Sequence, residues 1–227
     1  RSSDLSADKS IERGDYKFDH PSSVLRVAWR LIQSDHNVNR IRITFREGLT
    51  NGEIAELLSG AVSTFRRDLF MSDPRAVQGY LFPDTYFYFP LTTTDEIVTE
   101  MTNNFKKQIH TLQSEINSSG HTENEIITMA SLIEKEAHGE DDSNIIAGIL
   151  WKRIERGIPL QVDAAKETYI TKGLPKKPIA NPGLRSITAA LHPQDSPYLF
   201  YLHAKDGTVH YAKTFIEHKA NIARYLK

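Results

Sequence analysis

The stretch that most constrains this chain is residues 122–137, TENEIITMASLIEKEA. Its spacing predicts a helix. Thr122 stands at the N-cap, and Glu125, three residues on, completes a capping box. Ile126, Met129, Ala130, Ile133 and Ala137 recur at helical spacing, so one stripe is expected to face a core. Glu134 follows Ala130 by four residues and Ile127 by seven, which sets it at the edge of that stripe. Glu136 is turned roughly 200° from Glu134, at about 100° per residue. A half-buried carboxyl loses hydration, which penalises its charged form and raises its pKa. That is the condition a general acid needs near neutral pH. Glu134 is therefore the candidate acid on spacing, with an ordinary solvated or salt-bridged glutamate as the plainer alternative.

Composition removes several other chemistries. The chain has 227 residues, a net charge of −1 and no cysteine. That length suits one large or two small domains with a substantial core. The balanced charge gives no general polyanion-binding signature, so nucleic acid is not an expected partner. Without cysteine there is no thiol catalysis, disulfide or cysteine metal site, which fits an oxidising compartment. The nine histidines are scattered and form no HExxH pair, so neither a metal site nor a cofactor is expected. No apolar run is long enough to span a bilayer and no signal peptide opens the chain. Arg1 in place of Met reads as a processed or truncated start.

Along the chain the periodicity predicts a polar N-terminal tail and a short helix over 24–33. An alternating strand follows over 38–45, then a turn at Glu47–Gly48 and a helix from Gly52 capped by Thr50 or Asn51. A second helix is expected from about Ser63. The run ITFREGLTNGEIAELLSG resembles the start of a LysM-like glycan-binding module. Residues 78–90, QGYLFPDTYFYFP, set aromatics beside polar groups, a pairing that suits sugar rings: π faces stack on C–H faces while polar groups hold hydroxyls. Gln78, Tyr80, Asp84 and Tyr86 are candidates on that ground, with simple core filling as the alternative for the tyrosines. A long helix over 94–118, the helix at 122–137, another over 144–156, a proline-rich stretch through Gly183 and a helix over 184–191 follow. A hairpin turning at Asp206–Gly207 and a last helix capped by Thr214 with Glu217 close the chain. The expected architecture is α+β: a tail and helix over 1–36, a LysM-like unit over 37–75, and a mostly helical catalytic domain with a C-terminal β-hairpin over 76–227.

Taken in order, GYLFPDTY at 79–86, ASLIEKE at 130–136, IPLQVD at 158–163, GLPKKPIANPG at 173–183, AALHP at 189–193 and YLFYLHAKDGTVHYAKT at 198–214 resemble the endolytic murein transglycosylases of the YceG-like family. The resemblance covers most of the chain from about residue 40 onward. It implies an enzyme anchored by an N-terminal helix to the outer face of the bacterial cytoplasmic membrane. It also implies peptidoglycan glycan strands as substrate, peptidoglycan synthases and elongation or division proteins as partners, and endolytic cleavage that leaves 1,6-anhydro-muramyl ends. The glutamate of the ASLIEKE-like motif is expected to be catalytic and is assigned to Glu134. Gln161, Asp163, Tyr169 and Asn181 are expected to hold sugar hydroxyls and N-acetyl groups. Glu217 and His218 are further candidates, explained as readily by helix capping with Thr214. The chain departs from the family pattern at Gln78, where relatives usually have Glu, and at Lys166 and Glu167, where they have Tyr and Asn in a longer loop. A muramidase-type hydrolase and a non-catalytic glycan-binding or scaffold protein are the competing readings.

Overall fold

The computed structural model describes residue 11, residues 14–137 and residues 142–226. The expected tail therefore lies largely outside the described residues. In order the elements are α1 (Val24–Ile32), β1 (Ile41–Thr44), α2 (Asn51–Ala61), α3 (Arg67–Ser72), β2 (Thr85–Tyr88), α4 (Thr94–Ser118), α5 (Glu123–Glu136) and α6 (Asp142–Glu155). A single 3₁₀ turn, Lys166–Tyr169, comes next, followed by α7 (Leu184–Leu191), β3 (Phe200–His203), β4 (Val209–Ala212) and α8 (Phe215–Tyr225). The mixed helix and sheet matches the expected α+β class. Among the described residues no helix is long and apolar enough to cross a membrane.

Capping residues fix several boundaries; the cap at Thr122 was expected, Thr50 rather than Asn51 caps α2, and the cap at Thr93 was not foreseen. Thr50 with Glu53, Thr93 with Glu96 and Thr122 with Glu125 each form a complete capping box, satisfying backbone N–H groups that the first turn would leave unpaired. On α1 the buried residue is a cation. Arg30 is buried, its guanidinium donating to the Asp35 and Lys17 carbonyls and to the Asp35 carboxylate. Leu25, 83% exposed, and Trp29, 59% exposed, face outward instead.

Two cores organise the rest. The first gathers Ile43 and Phe45, Ile54 and Leu58 of α2, Phe70 of α3, Tyr86 and Tyr88 of β2, and Ile97 and Met101 of α4. β2 pairs antiparallel with β1, Ile41 opposite Tyr88 and Ile43 opposite Tyr86. The N-terminal core thus draws on residues well past 75, because β1 finds its partner strand beyond Pro83. The second core surrounds α5, with Ile146 and Leu150 of α6, Ile187 and Ala190 of α7, and Leu160 and Val162. β3 and β4 form the C-terminal hairpin, Phe200 opposite Ala212 and His203 opposite Val209.

The helix α5 departs from the single-stripe expectation. All eight residues from Ile126 to Ile133 are buried, Thr128 and Ser131 included. Thr128 and Ser131 sit on faces that the stripe left open, and Ser131 Oγ accepts from Ile179 N–H at 3.0 Å. A helix enclosed on every side has no stripe edge to emerge from. It reaches open surface at its C-terminal turn, where Glu134 and Glu136 are both half-buried.

Candidate active site

At the end of α5 the two glutamates enter different surroundings. Glu136 turns toward the hairpin, where Tyr201 Oη of β3 donates to its Oε2 at 3.0 Å. It lines an open groove of about 600 Å³. The groove is walled by Arg153 of α6, the segment from Leu160 to Asp163, Tyr169, Phe200 to His203 of β3, and Phe215 and His218 of α8.

The groove wall after α6 is shaped by one unusual residue. Gln161 has φ +54°, a left-handed conformation uncommon outside glycine. Its N–H donates to Thr168 O at 3.1 Å, and its side-chain carbonyl accepts from Arg153 Nη2. Thr168 is buried; its hydroxyl accepts from Val162 N–H at 2.9 Å and donates to Ala165 O at 2.6 Å. These bonds fold residues 161–169 into a compact loop that presents Asp163 and Tyr169 outward. Tyr169 Oη donates to Asp163 Oδ1 at 2.8 Å, and Lys166 Nζ donates to the same oxygen at 2.9 Å. Those two donors, Lys166 first, hold the Asp163 carboxyl below its usual range, while the bond to Asp163 raises the Tyr169 phenol.

Burial lifts the Tyr201 phenol well above its ordinary value, and the Glu136 charge adds to this, so it keeps its proton as a donor. Burial lowers His218, and the Arg153 charge lowers it further, which leaves the imidazole neutral at pH 7. The ring stacks on Phe200 at 5.3 Å.

Glu134 does not line this groove. Its Oε2 accepts from Gly183 N–H at 3.0 Å, at the start of α7. Gly48 packs against its Cγ, and with φ +78° the backbone there favours glycine as well. A Cβ at Gly183 would overlap the Glu47 carboxylate, so both acids crowd one glycine. Partial burial raises Glu47 above the ordinary range, and the charge of Glu134 raises it further.

The remaining expected residues are spread over the molecule. Asn181, expected to hold substrate, is 1% exposed. Its Oδ1 accepts from Gly79 N–H at 2.8 Å and Leu81 N–H at 3.1 Å, and its Nδ2 donates to Leu49 O and Asn51 Oδ1 at 2.9 Å each. With two acceptances and two donations the amide has no bond left for a sugar. Gln78 lies at the same junction, accepting from Asn51 N–H at 3.3 Å and donating to Pro178 O at 3.1 Å. A glutamate at this position would lose the second of these bonds. Tyr80 packs on Phe105 and accepts from Asn124 Nδ2 at 3.2 Å. Asp84 is exposed and accepts from Asn104 Nδ2 at 3.0 Å. Tyr86, 4% exposed, donates to Phe82 O at 2.7 Å and belongs to the first core. Glu217 accepts from Lys213 N–H at 2.8 Å and works as a helix cap.

The groove therefore unites Gln161, Asp163, Tyr169 and His218 with three residues that sequence reasoning passed over: Glu136, Arg153 and Tyr201. Tyr201 and Glu136 stood inside motifs already singled out. Nothing in the periodicity of α6 distinguishes Arg153.

Fold and site together define an α+β protein with an open, aromatic-edged groove that carries a carboxyl group and a guanidinium. The chain belongs to the YceG-like family, whose model matches residues 2–167 and 167–224. The two matches meet at residue 167, inside the loop over 161–169. It is 32% identical to an endolytic murein transglycosylase of Bacillus subtilis over 72% of this chain and 52% of the relative. It is 28% identical to an endolytic murein transglycosylase of Streptococcus pneumoniae over 87% of this chain and 43% of the relative. The chain thus spans about half the length of these curated relatives. A solved yceG-like protein of Listeria monocytogenes superposes with a TM-score of 0.74 at 25% identity, covering 86% of this chain and 80% of that one.

Proposed function

We propose that this chain is the glycan-cleaving part of an endolytic lytic transglycosylase acting within nascent peptidoglycan strands, with Glu136 as general acid and then base. The observation that carries this is the carboxyl of Glu136 in an open groove, oriented by the Tyr201 hydroxyl at 3.0 Å. The names of the curated relatives supply the substrate class.

Protonated Glu136 gives its proton to the oxygen joining N-acetylmuramic acid to N-acetylglucosamine. The C1–O bond breaks and positive charge develops at C1. The Glu136 carboxylate then takes the proton of the muramyl C6 hydroxyl as that oxygen bonds to C1. Atoms balance without water, and the acid regains its proton. Because the nucleophile is internal to the sugar, one carboxyl suffices where ordinary glycosidases need two. The mouth of the groove offers Gln161, Tyr169 and Phe215 to sugar hydroxyls and ring faces.

Glu134, the acid expected from spacing, takes a structural part in this reading because its partners are backbone and a second acid. The unit around β1, α2 and α3 goes with it as a LysM-like contact to the same strand. An N-terminal anchor at the outer face of the cytoplasmic membrane, with synthases and elongation or division proteins as partners, completes the reading.

One observation favours a muramidase-type hydrolase: Asp163, held ionised, lines the same groove and offers a second carboxylate. Digestion of uncrosslinked glycan strands followed by mass analysis of the ends decides between them. Anhydro-muramyl ends are expected, absent with Glu136→Gln. Reducing ends that depend on Asp163 would select the hydrolase. Intact strands that remain bound would select a binding protein.

A further inference from the structure

Arg153 stands out among the groove's cations by being buried while, among the described residues, it makes no ion pair. It is 5% exposed and lies in the last turn of α6, yet it lines the groove. Three of its N–H groups have acceptors, and all three acceptors are neutral: Nε donates to Pro159 O at 2.9 Å, Nη1 to Leu199 O at 3.4 Å, and Nη2 to Gln161 Oε1. Among the described residues it makes no ion pair, and the aromatic ring of Phe200 lies 5.4 Å from its guanidinium carbon. A guanidinium presents five N–H donors and keeps its charge at any physiological pH. Burying such a charge is costly unless an anion pairs with it.

The acids of the groove are engaged elsewhere. Asp163 is bonded to Lys166 and Tyr169, and Glu136 is bonded to Tyr201. Lys135 adds a second cation at the rim, and neutral His218 adds no charge. The planar, forked donor set of Arg153 matches a carboxylate better than a hydroxyl or an acetamide.

We infer that Arg153 is a specificity-determining residue that recognises a carboxylate of the glycan substrate. This deepens the proposed transglycosylase reading and rests on it. The carboxylate has two possible sources on a muramyl sugar: the lactyl ether group where no peptide is attached, or the stem peptide where one is. Recognition by charge would select muramyl-containing strands over chitin-like polymers, which carry the same acetamide groups and no carboxylate. Arg153 would do this by orienting the muramyl sugar, while Glu136 handles the proton.

The test measures binding to the folded Glu136→Gln protein, so that strands stay intact. The probes are peptide-free strands with free lactyl carboxylates, the same strands with those carboxylates amidated, strands bearing stem peptides, and N-acetylglucosamine oligomers of equal length. Carboxylate-bearing strands are expected to bind about tenfold or more tightly than amidated ones, the effect of one charge-assisted bond. Which carboxylate-bearing strand binds better identifies the source. Adding Arg153→Gln is expected to erase the difference and Arg153→Lys to restore part of it. Equal affinity for charged and amidated strands overturns the inference, as does discrimination that survives in a folded Arg153→Gln protein. Should that variant fail to fold, the comparison of strands on the parent protein decides alone. Failure of the unaltered protein to cut any strand would sink the transglycosylase reading and leave the affinity difference readable.

Discussion

Glu134 and Glu136 stand two residues apart on one helix, both half-buried, and enter different surroundings. Glu134 faces inward across a crowded junction: Gly183 N–H donates to it, Gly48 packs on its stem, and Glu47 shares the same glycine. Glu136 faces a groove large enough for sugar rings, with a tyrosine hydroxyl aimed at one of its oxygens. Helical spacing separated the two side chains correctly and could not say which direction held space. Burial of a carboxyl is thus a poor guide to catalysis unless the groove beside it is also known.

The comparison breaks or holds first on a pair of substitutions. Glu136→Gln is expected to lower the release of anhydro ends by about 10²–10⁴-fold, the usual worth of a general acid–base group. Glu134→Gln is expected to cost less than about tenfold, since no proton transfer passes through it. The reverse ranking would return the catalytic role to the residue that spacing favoured.

The inward side of the comparison is sharpened by Asn181→Ala. That change strips acceptors from Gly79 and Leu81 N–H and donors from Leu49 O. Unpaired buried groups of this kind cost about 3 kcal/mol in total, to be read from denaturant unfolding. Stability unchanged in Asn181→Ala would show that the junction does not depend on this amide.

On the groove side, Tyr201→Phe removes one hydroxyl and keeps the ring. Turnover is expected to fall about tenfold to a hundredfold, the worth of one bond to a charged group. The alkaline limb of the pH–rate profile is expected to move upward, because the lost donor favoured the carboxylate form. A fall in rate with an unmoved profile would assign Tyr201 to packing alone.

The smallest effect concerns Glu47. Its pKa is raised from an ordinary 4.5 by burial and by Glu134. The folded state therefore holds that proton more tightly than the unfolded chain does. The resulting cost is absent below pH 4.5, grows as pH rises, and is complete above the folded pKa. Glu47→Gln has no proton to lose, so its melting temperature is expected to decline less between pH 4.5 and 8, and to sit slightly above the parent's at neutral pH. Parallel curves for the two proteins would mean the acids do not feel each other.

Local chemistry is the part of this fold that the chain states openly. The three Thr–Glu capping boxes, the 94–118 helix and the Asp206–Gly207 hairpin all depend on residues within a few positions of one another. Gln161, Asp163 and Tyr169 reach one groove wall together because they fall in one short loop. Asn181 was misjudged because an amide in a Pro-Gly loop looks the same whether it faces a ligand or the backbone of three other segments. Arg153 was missed because a lone cation on an amphipathic helix gives no sign of where its partners are.

By itself the sequence determined most secondary elements, the family resemblance and the helix that carries both candidate glutamates. These rest on hydrogen bonds and apolar spacing within one segment. Only the tertiary structure decided that β1 pairs with a strand from beyond Pro83, that α5 is enclosed on all sides, and that the groove opens beside Glu136. Each of those depends on which distant segments arrive at a given face, and close packing of segments far apart in sequence leaves no local periodic mark.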